Sequence, residues 1–230
     1  MHEPPTHEQI PFGSDDFAEN PEPRCPVVLL LDTSGSMAGA PIEQLNRGLV
    51  TLKDELTADA LAAKRVEIAA VTFGPVRVVH DFVGAGAYAP PTLRAGGDTP
   101  MGGAILQGLE LLRQRKAVYE VNGIAFYRPW VFLMTDGAPT DPVDQARAMV
   151  RDGEAAKRFS MFAVGIAGAR MDVLAGLSPA RPALRMDGLR FRDLFVWLSN
   201  SMRSISQSAP GTSVPLDNPT AAGGWASVSS

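Results

Sequence analysis

Hydrophobic positions along the middle of the chain fall into two alternating kinds of segment. Val27 to Leu31 is a short unbroken aliphatic run, the pattern of a central strand buried on both faces. Ile42 to Leu56 differs: Ile42, Leu45, Leu49, Leu52 and Leu56 recur at three- and four-residue spacing with Pro41 at the first turn, which predicts a helix. Val66 to Phe73 predicts a second strand, turned by Gly74-Pro75 into Val76 to Phe82 as an antiparallel hairpin partner on a sheet edge. A loop rich in Gly and Pro, from Gly84 to Pro100, leads to a helix near Gly102 to Arg115. Trp130 to Thr135 and Met161 to Ile166 read as further buried strands. Between them lies a helix that Asp141 can cap and that runs to about Arg158. A weaker strand is expected near Ala183 to Met186, and Phe191 to Ile205 is a last amphipathic helix.

Strands alternating with helices predict an α/β domain. The expectation is a doubly wound, Rossmann-like, mostly parallel six-stranded sheet with one antiparallel edge strand and helices on both faces. Residues 1–24, broken by Pro4, Pro5, Pro11, Pro21 and Pro23, read as an extended arm whose only anchor is Ile10 to Phe12. Residues 25–207 form the domain. Residues 208–230, rich in Ser, Ala, Gly and Pro without a period, are expected to be a flexible tail, with Trp225 an isolated aromatic given no role.

A length of 230 residues suits one medium domain, and 45% hydrophobic with 20% charged residues is an ordinary globular balance. Twenty-one Lys and Arg against 25 Asp and Glu give a net charge of -4, with no basic stripe along the sequence, so nucleic acid is excluded as a partner. The single cysteine, Cys25, cannot form an internal disulfide and is expected to pack as a small hydrophobe. No apolar run approaches the roughly 20 residues that span a bilayer, and the N-terminus lacks a leader pattern. Membrane insertion is not expected, and a cytoplasmic location is.

Chemistry concentrates where buried strands end, the place where open α/β sheets bind ligands. Asp32-Thr33-Ser34-Gly35-Ser36-Met37 follows the first strand, Gly96-Gly97-Asp98-Thr99-Pro100-Met101 precedes the helix at 102, and Thr135-Asp136-Gly137 follows the Trp130 strand. Each is rich in oxygen. A hard dication such as Mg²⁺ takes oxygen ligands in octahedral geometry and often only one or two carboxylates. Asp32, Ser34 and Ser36 at alternate loop positions can turn oxygens to one centre, with Thr99 and Asp136 approaching from neighbouring loops. Two carboxylates and three hydroxyls leave the ion under-neutralised and ready for an outside carboxylate.

The strings Val-Val-Leu-Leu-Leu-Asp32-Thr-Ser34-Gly-Ser36-Met, Gly-Gly-Asp-Thr99-Pro-Met-Gly and Met-Thr-Asp136-Gly resemble the metal-ion-dependent adhesion site (MIDAS) of von Willebrand factor A (VWA) domains. The resemblance covers about Arg24 to Gln207 and is nearest the bacterial TerY-like, tellurite-resistance-associated branch. It implies Ser34, Ser36 and Thr99 as hydroxyl ligands of Mg²⁺, with Mn²⁺ or Ca²⁺ as substitutes, and Asp32 and Asp136 acting directly or through water. It also implies a partner protein supplying an Asp or Glu, and a stress-response complex with a protein kinase and a PP2C-type phosphatase. Asp98, beside Thr99, is a candidate for the site's acidic surroundings.

Enzyme chemistry finds less support. The only histidines are His2, His7 and His80, and no Gly-x-Ser-x-Gly elbow or glycine-rich phosphate loop occurs. An aspartate-nucleophile phosphatase would carry Asp where Ser34 stands. The chain is read as a non-enzymatic interaction module; the alternative is a metal-dependent phosphoester or ester hydrolase using the same ion.

Overall fold

The computed structural model describes residues 20–228. Its spine is the predicted first strand, β1 (Cys25–Asp32), every residue of which is buried. A short 3-10 turn (Gly35–Met37) leads to α1 (Ala40–Thr57) and α2 (Ala60–Arg65), then to the hairpin β2 (Val66–Phe73) and β3 (Arg77–Gly84). After the long loop come α3 (Met101–Val121), β4 (Trp130–Thr135), α4 (Asp144–Ala155), β5 (Ser160–Gly165) and α5 (Met171–Leu177). The last elements are β6 (Leu184–Met186), α6 (Phe191–Ser206) and β7 (Ala226–Val228). The strand order is β3-β2-β1-β4-β5-β6-β7, with β3 and β7 antiparallel to their neighbours.

Alternation along β1 divides the core. Val27, Leu29 and Leu31 face the side covered by α1 and α6, where Leu45, Leu49, Phe191, Phe195 and Leu198 pack. Val28 and Leu30 face the side of α3, α4 and α5, with Ile105, Leu109, Val150 and Leu174. A strand buried on both faces has no polar alternation, which is why its sequence reads as a continuous apolar run. Close packing also fixes Gly48, where a β-carbon would lie 2.4 Å from a Phe195 ring carbon, so α1 and α6 touch at that point.

The expected α/β architecture with helices on both faces is present, with seven strands in place of six and two antiparallel edges in place of one. The extra strand comes from the segment expected to be a flexible tail. Residues 208–228 return across α6: Trp197 Nε1 donates to Asp217 O at 2.8 Å, and Trp225, 3% exposed, sets its ring 5.7 Å from Trp197. β7 then pairs with β6 through Leu184 and Val228, Arg185 and Ser227, and Met186 and Ala226. Three residues are too few for a visible period, so only the burial of Trp225 reveals this strand.

Three further differences have local causes. α3 runs six residues past the expected end at Arg115, because Arg115 and Tyr119 reach back to the buried Glu67 of β2. α2 and α5 are single short helices without enough length to show a pattern. Asp141 caps α3 instead of α4, as described below. Of the arm expected over residues 1–24, the anchor Ile10 to Phe12 lies outside the described residues. Its end is packed: Arg24 is 2% exposed, holds Glu67 at 3.0 Å and exchanges backbone bonds with Ala125 and Tyr127.

Candidate metal centre

The order of strands reverses between β1 and β4, so their carboxyl ends open a crevice. Asp32 closes β1, and Asp136 follows β4 directly. The loop after β1 is laced to both neighbours. Thr33 N donates to Phe73 O at 2.9 Å, Gly96 N to Thr33 O at 2.8 Å, and Gly35 N to Gly97 O at 3.0 Å. Gly74 permits this closeness: its φ is +133°, and a β-carbon there would stand 2.7 Å from Ser34 N. Asn46 on α1 steadies the long loop, exchanging bonds of 3.0 and 2.8 Å with the backbone of Leu93.

Four of the five expected residues are joined by hydrogen bonds. Ser34 N donates to Asp32 Oδ1 at 2.8 Å, Ser34 Oγ and Ser36 Oγ lie 3.0 Å apart, and Ser36 Oγ donates to Asp136 Oδ1 at 2.7 Å. Thr99 comes from the far side. The β-carbon position of Gly137 lies 3.3 Å from Thr99 Oγ1 and 3.9 Å from Asp32 Oδ2, so both oxygens face the same glycine. Asp32, Ser34, Thr99 and Asp136 are buried, and Ser36 is exposed at the rim. Asp98, the candidate for the acidic surroundings, is exposed.

The side-chain chemistry fits a small hard dication. Mg²⁺–O bonds of 2.0–2.1 Å at right angles set neighbouring ligand oxygens about 2.9 Å apart. The Ser34–Ser36 and Ser36–Asp136 separations of 3.0 and 2.7 Å bracket that spacing. Among the described residues no group of three or more His, Cys, Asp or Glu side chains gathers as a metal cluster, and this site itself has two carboxylates with hydroxyls. Burial raises the Asp32 carboxyl above its ordinary range, with the Asp136 charge adding to the rise; bonds from Ser34 and Thr135 oppose it. A cation beside these two carboxylates would offset both the desolvation and the repulsion.

Three contributors went unrecognised in the sequence or were set aside there. Thr135 Oγ1 donates to Asp32 Oδ2, fixing the carboxylate from β4, while Gly137 N donates to Thr135 Oγ1 at 3.1 Å. Thr140 pairs with Thr99 in both directions: Thr99 N donates to Thr140 Oγ1 at 3.1 Å, and Thr140 N to Thr99 O at 2.9 Å. Asp141, expected to cap the following helix, accepts from Gly102 N at 2.9 Å and Gly103 N at 2.7 Å and so caps α3 across the crevice. Pro100, at the N-cap position of α3, offers no side-chain cap, and a β-carbon at residue 102 would lie 2.3 Å from Pro142 O. The signal in the sequence was the polar pair Thr140 and Asp141 shortly after Asp136, but only the fold brings Thr140 to Thr99 and says which helix Asp141 serves.

A scan against protein-family models and a search of curated proteins return no match. Solved structures do share the fold. Proximal thread matrix protein 1 from the mussel byssus superposes with a TM-score of 0.55 at 16% identity over 79% of this chain and 48% of its own. The pilus adhesin SpaC from Lactobacillus rhamnosus GG, in its open conformation, gives 0.61 at 15% identity over 80% of this chain and 30% of its own. The vWF domain of the type V pili tip protein Mfa5 from Porphyromonas gingivalis gives 0.36 at 18% identity, over 51% and 39%, too loose a superposition to enter the argument. The chain thus spans about half of the first protein and under a third of the second, and at these identities the likeness is one of fold. No helix among the described residues is long and apolar enough to cross a membrane.

Proposed function

We propose that the chain is a VWA-like interaction module whose Asp32, Ser34, Ser36, Thr99 and Asp136 form a metal-ion-dependent adhesion site. The carrying observation is the hydrogen-bonded train Asp32–Ser34–Ser36–Asp136 at the sheet's switch point, with ligand-like oxygen spacings of 3.0 and 2.7 Å. When bound, Mg²⁺ supplies a Lewis-acidic position for a carboxylate oxygen from outside the chain. The chain's own part is to hold hydroxyls and carboxylates in register: Thr135 and the Ser34 amide orient Asp32, and Thr140 fixes the Thr99 backbone. The loops at Ala38 to Pro41, Gly84 to Pro100 and Ala138 to Pro142 surround this position and select the partner.

The partner presents an Asp or Glu side chain to the ion. Following the TerY-like resemblance, the partners are a protein kinase and a PP2C-type phosphatase in a cytoplasmic tellurite-resistance or stress-response complex. Adhesive use is in keeping with a fold also found in a pilus adhesin and a byssal thread protein. No described histidine reaches the site: His80 sits on β3, bonded to Ala89 O at 2.7 Å.

Calorimetric titration with Mg²⁺ tests the assignment. The wild type is expected to bind saturably, with binding lost in Asp32→Ala and strongly weakened in Ser34→Ala; equal heats in all three refute it. A metal-dependent esterase or phosphatase turnover that vanishes in Asp32→Ala would move the reading to the hydrolase.

A further inference from the structure

The edge of the sheet opposite the candidate metal centre carries a cavity of about 650 Å³, a volume typical of small-ligand sites. Five cations line it: Lys116 of α3, Arg128 ahead of β4, Lys157 and Arg158 ahead of β5, and Arg181 ahead of β6. No described Asp or Glu lines it, although the whole chain has net charge -4. Glu154, which pairs with Arg181, is buried and also accepts from the Met161 amide at 2.9 Å.

The guanidinium groups are held in place. Arg128 Nε donates to Phe159 O at 2.8 Å and Nη2 to Glu154 O at 3.3 Å, while Arg181 reaches Ser160 Oγ at 3.1 Å and lies 5.0 Å over the Phe162 ring. Burial first, and then the charge of Arg181, hold the Arg128 guanidinium below its ordinary value, with Glu154 opposing them.

A second observation is independent of charge counting. Lys157, at φ 55°, is the one non-glycine residue with positive φ among the described residues. It ends α4 in a Schellman turn: Arg158 N donates to Gly153 O at 2.8 Å and Lys157 N to Glu154 O at 2.9 Å. Glycine is the favoured residue there because a β-carbon is strained in that conformation. A lysine therefore stands against the backbone's preference in a turn whose Lys157 and Arg158 both line this cavity. No basic residue stands in the last turn of α3 or α4, so the carbonyl ends of these helices do not explain the cluster. Four of the five, Arg128, Lys157, Arg158 and Arg181, belong to no helix.

We propose that this cavity binds an oligophosphate, two or more linked phosphates, either free or carried by a nucleotide. Linked phosphates place several negative charges within a few ångströms, where arginine forks grip oxygens in pairs and lysines act as point charges. Trp130 and Phe162 are core residues at the floor of this space, and Phe126, half-buried at its side, is the one ring there that a nucleobase could meet and a free oligophosphate would not need.

The protein in chelator-treated, low-salt buffer, with no metal bound, is titrated calorimetrically with pyrophosphate, ATP and orthophosphate. Saturable binding of pyrophosphate or ATP is expected, weakened about three- to tenfold by each of Lys157→Gly and Arg158→Gln. Lys157→Gly should keep or raise the melting temperature, which separates lost binding from lost folding. ATP binding at least tenfold tighter than pyrophosphate assigns the site to a nucleotide, and parity assigns it to the free oligophosphate. No saturable binding, affinity unchanged in both variants, or orthophosphate binding as tightly as pyrophosphate overturns the proposal.

Discussion

Trp225→Ala should unfold the protein far more easily than a change in a segment of Ser, Ala and Gly without a period ordinarily would. The indole is 3% exposed and packs edge-on against Trp197 at 5.7 Å, in a cluster that continues to Trp130 at 6.1 Å from Trp197. Removing a buried Trp side chain costs roughly 3–5 kcal/mol. One correction has the opposite sign: Trp225 Nε1 is buried without a hydrogen-bond partner, and deleting that unsatisfied donor returns about 1 kcal/mol. The expected loss is therefore about 3 kcal/mol, a large part of a typical 5–15 kcal/mol stability. For a chain of this length that is roughly a 6–12 °C fall in melting temperature. Urea denaturation followed by tryptophan fluorescence measures it, and Trp225→Phe, which keeps a ring and drops the orphaned donor, should lose less than half as much. A loss under about 1 kcal/mol for Trp225→Ala would show that the terminal segment does not hold α6 and β6 as described.

Asp141→Ala should cost about 1–2 kcal/mol, since it removes both acceptors at the amino end of α3. It should also weaken Mg²⁺ binding severalfold by loosening the loop that fixes Thr99; thermal melts together with calorimetry check both, and full Mg²⁺ affinity alongside lowered stability would separate the cap from the site. Burial pushes the Cys25 thiol up to about 12. Because the folded value lies above the unfolded one, near 8.5, this contribution to stability is complete below about pH 8.5 and is lost as pH rises towards 12. Cys25 should not react with a thiol reagent at pH 8 until denaturant is added, and the fall in stability between pH 9 and 11 should be shallower in Cys25→Ala. Reaction in the native state at the rate of the unfolded chain would contradict the burial.

Strands such as β1 and β4 were legible because burial on both faces demands an unbroken apolar run, and α1 because burial on one face demands a 3.6-residue period. That Asp32 and Asp136 stand at neighbouring strand ends was legible for a related reason. A strand end is a fixed address in an α/β sheet, so polar residues placed there can be anticipated before any coordinates exist. What the sequence could not carry were relations between distant segments. Asp141 faces two helix starts within a short span, and only the crevice geometry assigns it to α3. Thr140 gains its role by meeting a backbone 41 residues away. Trp225 looked stranded among Ser, Gly and Ala because its partner, Trp197, lies across a turn of chain that has no period. The cationic cavity is the extreme case: Lys116, Arg128, Lys157, Arg158 and Arg181 form no stripe in a sequence of net charge -4, and become one surface because parallel strands begin side by side. Periodicity and strand-end chemistry are local and survive in one dimension; pairing, capping across loops and clustering of charge arise only when the chain is folded.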